Sequence, residues 1–382
     1  MRIAYFSKTN LPSAAANSLQ SMQVCSALVE LKHVVTFFVI TEQDSNDNAD
    51  MASVFKFYNI AGNFNIEQIK IPTTKESRFR YLWSVFVGFF LVARVLIRRD
   101  FDVVFGRDLV SCWVATLVGV KTIYESHAPV WFSLVERLIF KVFVRSKNFF
   151  RLVVISHALK NSYKNRYPDL QNKIFVAPDG AETVRGDGPK ISVRERSSKL
   201  NVGYVGHLYE GKGIEVIEGI AGHMPEVAFH IIGGDTESIR YWTKRIKFDN
   251  VFFYGFVSRR NLPSYYESLD VCLLPNQARV FGSGSGIVRT PVNIGSFTSP
   301  LKLFEYMAYG KAIIASDLPV LREVLHESIA LFVDPKDFDG WKEAIRSLAS
   351  EARRETLGRA ARQEFETKYT WTRRMERILD VH

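Results

Sequence analysis

The segment Ser299–Glu323, SPLKLFEYMAYGKAIIASDLPVLRE, concentrates residues suited to holding a phosphate compound. Ser299 is placed to cap a helix with Pro300 at its first position. Gly310 suits a left-handed stop at the far end, and a strand, Ala312–Ala315, follows. At the carboxyl edge of a parallel sheet, such a helix N-terminus offers free N–H groups and a positive dipole end to an anion. Lys302 falls in the first turn, where a cation opposes the dipole unless an anion is bound. Glu305 lies one turn after Leu301 and can accept both hydroxyls of a ribose. The plainer alternative is a solvated helix carboxylate.

Three other stretches carry polar groups at strand ends. Gly203–Gly213, GYVGHLYEGKG, is a glycine-containing strand-to-helix turn that lets backbone approach a phosphate. There Lys212 supplies charge, and His207 is protonated part of the time near neutral pH. Tyr124–His127, YESH, ends a strand where ligands bind in such sheets, although a lone histidine there is often structural. In Lys8–Ser18, KTNLPSAAANS, the small residues through Ala16 let backbone come close to a ligand. Asn17 and Ser18 are either contacts or helix caps.

These groups need a scaffold, and its pattern is regular. Strands are expected at Arg2–Ser7, Val34–Ile40, Val103–Phe105, Lys121–Tyr124, Leu152–Ile155 and Ile174–Val176, then at Asn201–Val205, Ala228–Ile232, Val251–Tyr254, Val271–Leu274, Ala312–Ala315 and Ala330–Val333. Helical segments fall between them, so each half reads as a doubly wound α/β sheet, Rossmann-like in form. With 382 residues, 47% of them hydrophobic, two domains are expected. We place them at 1–182 and 200–368, with a polar linker at 183–199 and a C-terminal helix at 369–382 that can cross back to the first. Asn276–Thr298 is a Gly/Ser-rich loop, either a lid or a disordered insertion.

Cys25, Cys112 and Cys272 match no metal spacing and read as reduced thiols of a cytoplasmic protein. The opening strand is too short for a secretory signal. Residues 1–180 carry 22 Lys/Arg against 14 Asp/Glu, and residues 181–382 carry 28 against 26. The basic first half points to an anionic partner, a membrane surface or a phosphate-bearing acceptor. No nucleic-acid motif is present. Tyr81–Ile97, YLWSVFVGFFLVARVLI, is interrupted by Arg94. It reads as a helix on its own sheet, an interfacial helix, or, least well, a membrane span.

The form S-P-x-K-x-x-E-Y-M-A-x-G-K followed by A-S-D-x-P-x-x-R-E resembles the nucleotide-sugar site of glycosyltransferase family 4, whose members have the GT-B fold. The resemblance covers nearly the whole chain. It implies that Glu305 holds the ribose, and that Ser299, Pro300, Leu301 and Lys302 meet the diphosphate together with His207 and Lys212. Gly255, Phe256 and Val257 would face the base. His127 would hold the sugar with Glu125 bracing it, and Ala16, Asn17 and Ser18 would lie near sugar or acceptor. His127, Lys212 and Glu305 are the expected catalytic set. Phe297 stands eight positions before Glu305, where many members have a glutamate, and Ala14–Ala16 stand where many have glycines.

The family implies a retaining transferase that needs no bound metal or cofactor. It would use a UDP- or GDP-sugar and a glycan or lipid-linked acceptor, with no nucleic-acid partner. The basic first half, with the arginine-flanked apolar stretch 81–97, leads us to expect it peripherally at the cytoplasmic face of a membrane. Alternatives are a same-fold epimerase or hydrolase and a non-catalytic homologue. A nicotinamide-dependent oxidoreductase is the least favoured reading, because it needs G-x-G-x-x-G after the first strand and Lys8–Ser18 has no glycine.

Overall fold

Short apolar runs rich in Val, Ile and Phe, buried on both faces, become parallel strands here, as doubly covered sheets require. The computed structural model describes residues 1–42, 50–61, 64–72, 80–184, 200–280 and 293–380. Most of the linker 183–199 and residues 281–292 of the glycine-rich loop lie outside these. The chain divides into two units. One holds Met1–Ala177 and the C-terminal segment from Arg374, and the other holds the described residues from Pro178 to Arg373.

The first unit has seven parallel strands: β1 (Arg2–Lys8), β2 (Val34–Glu42), β3 (Asn65–Ile71), β4 (Val103–Gly106), β5 (Lys121–Ser126), β6 (Phe149–Val154) and β7 (Ile174–Val176). Their order is β3-β2-β1-β4-β5-β6-β7, so the winding reverses between β1 and β4. Its helices are α1 (Ala16–Glu30), α2 (Met51–Tyr58), α3 (Arg80–Arg98), α4 (Leu109–Leu117), α5 (Leu134–Phe143) and α6 (His157–Arg166). Tyr5 packs edge-on against Phe37 and Phe105, at 5.4 and 5.3 Å between centroids, tying three central strands. Strand β3 (NIEQIKI) is an addition to the sequence expectation. Its polar alternation suits an edge strand and hides it among loops.

The apolar stretch 81–97 is α3. It packs Val92 and Leu96 inward yet leaves Trp83, Phe86 and Phe90 exposed. Among the described residues no helix is long and apolar enough to cross a membrane.

The second unit has six parallel strands: β8 (Leu200–Val205), β9 (Val227–Ile232), β10 (Val251–Gly255), β11 (Val271–Leu274), β12 (Ala312–Ser316) and β13 (Ala330–Val333). Their order is β10-β9-β8-β11-β12-β13, reversing between β8 and β11. Helices α7 (Ile214–Ala221), α8 (Thr236–Arg245), α9 (Leu262–Ser268), α10 (Leu301–Ala308), α11 (Phe338–Ser347) and α12 (Glu351–Lys368) cover its faces. The last helix, α13 (Trp371–Leu379), follows. Two apolar clusters, one on each face, bury the sheet. All three cysteines are free and buried.

Candidate functional site

In the second unit, the carboxyl ends of β8, β9 and β10 are stitched by backbone. Gly206 N–H donates to Ile232 O at 2.9 Å, and Gly233 N–H donates to Gly255 O at 2.8 Å. A Cβ on Gly233 would lie 2.3 Å from Gly206 O, so only glycine allows this approach. The turn with His207 and the turn with Gly255, Phe256 and Val257 are thereby brought together. Gly255 has φ +70°, which aims the chain outward, and Phe256 is exposed. Further on, Gly213 has φ +89°, and a Cβ there would meet Pro275 O at 1.9 Å. This packs the Lys212 turn onto the end of β11.

Helix α10 begins one residue later than expected. Pro300 is the N-cap residue and makes no side-chain capping bond, while Ser299 Oγ accepts from Asp179 N–H at 2.9 Å. Ser299 is therefore not the helix cap, because its hydroxyl is engaged by the chain after β7. Gly310 does adopt the left-handed stop, at φ +59°.

The first-turn N–H groups of α10, beginning at Leu301, lie beside Lys302, which is buried. Its amine sits 3.9 Å from the centre of the Tyr204 ring and has no hydrogen-bond partner. Tyr204 donates in turn to His207 O at 2.6 Å. The Lys212 amine lies 4.8 Å from the centre of the Tyr209 ring. Neither lysine makes an ion pair among the described residues.

Burial pushes the Lys212 amine down to about 8. Burial, then the charge of Lys212, pushes Lys302 well below the ordinary lysine range. Burial and Lys212 also lower His207. Three bases thus crowd one spot, each depressed first by burial, with Asp235 opposing the shift only at His207, and an anion there would reverse those shifts.

Glu305 is not the solvated carboxylate of the plainer reading. Its side chain is 13% exposed, with one oxygen 2.5 Å from Arg259 Nη1 and the other accepting from Tyr266 Oη at 2.5 Å. Arg259, four residues past Gly255, thereby links the base-side turn to α10. Sequence reading missed Arg259 and Tyr266, which sit in a segment whose side chains carried no motif.

In the first unit, His127 follows β5. His127 Nε2 is 2.6 Å from Glu125 Oε1, which also accepts from Gln20 Nε2 at 2.9 Å. Glu125 Oε2 accepts from Arg374 Nη1 at 3.0 Å, and Arg374 Nη2 also donates to Ala177 O at 3.2 Å. Arg107 donates to Gln20 Oε1.

Burial alone would raise the Glu125 carboxyl, but Arg374 and the His127 hydrogen bond outweigh it and hold the group ionised. Burial and Arg107 push His127 down to about 4, so the ring is neutral at physiological pH. Gln20 Nε2 also lies 3.1 Å from His127 Nε2, but the ionised Glu125 at 2.6 Å can only accept, so the proton is assigned to Nε2 and Nδ1 is left as an acceptor.

Asn17 and Ser18 do not cap α1, whose N-cap residue is Ala15. Asn17 reaches Lys8 O at 3.4 Å, while Ser18 is buried against Thr9 Oγ1 at 2.5 Å. Ala16 starts the helix and Gln20 follows one turn later. Gln20, Arg107 and Arg374 are additions that only the fold reveals.

Two doubly wound parallel-sheet units, with polar groups gathered at strand carboxyl ends in each, define a GT-B glycosyltransferase architecture. The model for glycosyltransferase family 4 matches residues 21–185, and that for glycosyl transferases group 1 matches residues 199–351. The chain belongs to glycosyltransferase family 4.

Among sequence relatives, an uncharacterized 41.2 kDa protein of the cps region of Klebsiella pneumoniae is 23% identical. That alignment spans 71% of this chain and 69% of the relative. A Bacillus subtilis protein with the provisional name teichuronic acid biosynthesis glycosyltransferase TuaH is 21% identical over 67% of this chain and 61% of its own. Similar solved structures include HepE of Anabaena in complex with UDP, at TM-score 0.70 and 15% identity over 99% of this chain and 98% of that one. Sucrose-phosphate synthase of Thermosynechococcus elongatus gives 0.69 and 17% over 99% and 97%.

Proposed function

We infer that the chain transfers a glycosyl group from a UDP- or GDP-sugar to a hydroxyl of a glycan or lipid-linked acceptor in polysaccharide or glycolipid synthesis. The observation that carries this reading is the pair of amines, half-buried Lys212 and buried Lys302, which have no ion-pair partner among the described residues and lie beside the N-terminus of α10. A diphosphate satisfies both amines and the free N–H groups together.

As the bond from sugar to phosphate breaks, negative charge grows on the leaving diphosphate. The bound diphosphate draws protons onto these depressed amines, and they then stabilise that charge from fixed positions. Glu305, fixed by Arg259 and Tyr266, accepts the ribose hydroxyls, and the backbone of Gly255–Val257 receives the base. His127 contributes Nδ1 as an acceptor for a sugar hydroxyl, near the α1 turn of Ala16–Ser18. Transfer proceeds with retention and without a bound metal, by analogy with the family, and the protein works peripherally at a cytoplasmic membrane face.

The test is incubation with UDP- and GDP-sugars and a lipid-linked acceptor, with and without EDTA. Anomeric configuration is read from the product by NMR. Turnover that survives EDTA with the donor's configuration kept supports the reading. An inverted product, or loss of turnover restored by magnesium, contradicts its finer parts, and donor hydrolysis with no acceptor product favours the hydrolase alternative.

A further inference from the structure

We propose that the layer formed by α3, α4 and α5 is a docking face for an anionic lipid bilayer, built from two parallel apolar stripes and a basic rim. On α3, Leu82, Trp83, Phe86 and Phe90 are each 42–57% exposed. Their spacing places them within an arc of roughly 100° on one side of the helix. The rings of Trp83, Phe86 and Phe90 touch in sequence, at 6.3 and 4.9 Å between centroids.

On α5, Leu134, Leu138 and Val142 recur every fourth residue and are each 55–63% exposed, while Ile139, Phe140 and Phe143 point inward. Helix α4 packs against both α3 and α5, so the two stripes belong to one layer. Isolated exposed apolar side chains need no explanation, but two ordered stripes on one layer do.

The charge beside them identifies the occupant. All three helices run toward the amino edge of the sheet, because each leads into the start of the next parallel strand. Exposed Arg94 and Arg98 lie at that end of α3. Exposed Lys141, Arg145 and Lys147 lie at that end of α5. Next to them an open recess of about 500 Å³ is lined by Lys121, Lys147 and Lys173 with Asn148, Phe149 and Phe150. Of the acids at this edge, Asp102 accepts from Arg2 N–H, Asp100 faces the Arg2 guanidinium at 3.7 Å, and Glu67 pairs with Arg99.

Apolar stripes bordered by lysines and arginines match acyl chains below anionic head groups. Since no described helix can span a bilayer, the face would lie on the membrane rather than cross it. His127, at the carboxyl end of β5, lies at the opposite edge of the same sheet and stays clear of the lipid.

The claim rests on the peripheral-membrane part of the proposed function and not on the donor-site reading, because vesicle binding requires no turnover. The experiment is co-sedimentation of the full chain with phosphatidylcholine vesicles, with or without phosphatidylglycerol, at low and high salt. Binding is expected only with the anionic lipid and is expected to weaken as salt rises. Phe86→Asp/Phe90→Asp and, separately, Leu134→Asp/Leu138→Asp should each weaken binding about tenfold or more. All four positions are exposed, so unchanged melting curves would confirm folding.

Absence of wild-type binding at low salt overturns the proposal. So does binding that only the α3 pair affects, since α5 would then lie off the membrane. Self-association lost in these variants without vesicle binding would assign the face to a second copy of the chain instead.

Discussion

Arg374 Nη1 donates to Glu125 Oε2 at 3.0 Å, joining residues 249 positions apart, and both side chains are almost wholly buried. The carboxylate it holds is the one that orients His127. The end of the chain therefore fixes the tautomer of a histidine near its middle. Removing one partner of a buried pair leaves the other charge unpaired, which is costlier than losing the whole pair. Arg374→Met is expected to lower stability by about 3–5 kcal/mol, read from urea midpoints. In that variant His127 also loses its fixed orientation, so kcat/KM falls even under conditions where the protein remains folded. Unchanged stability would show that the pair is not formed.

Acid should destabilise the fold through the same cluster. The folded His127 sits near 4 against an ordinary 6.5, so its contribution is complete above pH 6.5 and is lost as pH falls toward 4. Glu125 is depressed below its ordinary 4.5, so its share is complete above that value and is lost on further acidification. Between pH 7 and 5.5 the His127 share amounts to about 1 kcal/mol. Denaturation midpoints should show this drop, and His127→Asn should remove it. An equal drop in that variant would place the titration elsewhere.

Nucleotide binding should also depend on pH, in the opposite sense. With the free Lys212 amine near 8, a diphosphate that raises its proton affinity binds with proton uptake. Affinity for the preferred nucleotide is expected to fall as pH rises from 7 to 9.5, approaching about tenfold per unit above 8. Calorimetry in buffers of different ionisation heats would detect the proton taken up. Flat affinity across this range would remove Lys212 from the site.

Glu305→Gln keeps the shape of the side chain but takes the negative charge from Arg259. A stability loss of about 2 kcal/mol is expected, with weaker nucleotide binding, both read by thermal denaturation with and without nucleotide. Gly213→Ala must adopt φ +89° against Pro275 O, and should cost about 2 kcal/mol or more in denaturant. Tolerance of that alanine would mean the Lys212 turn is not packed on β11.

Much of this was legible in the sequence because buried parallel strands are continuous apolar runs, and helix-to-strand punctuation such as Gly310 has one structural use. The edge strand β3 was hidden because its outward residues are polar. Ser299 has the local pattern of a helix cap, and only the fold brings the Asp179 N–H, 120 positions earlier, onto its hydroxyl oxygen. Gln20, Arg107, Arg259 and Arg374 act through partners distant in sequence. Their side chains carry no local spacing, and only the closed sheets bring them to His127 and Glu305.

The most direct test of the account is a thermal-stability titration with UDP, GDP and ADP on the wild type, Lys212→Met and Lys302→Met. One nucleotide at about a hundredfold excess over its Kd should stabilise the wild type by about 2.7 kcal/mol. Both variants should lose that shift, and Lys302→Met should by itself melt no lower than the wild type, since it removes a buried amine without a partner. No shift with any nucleotide, or the same shift in all three proteins, would contradict the assignment of the second unit as the donor site.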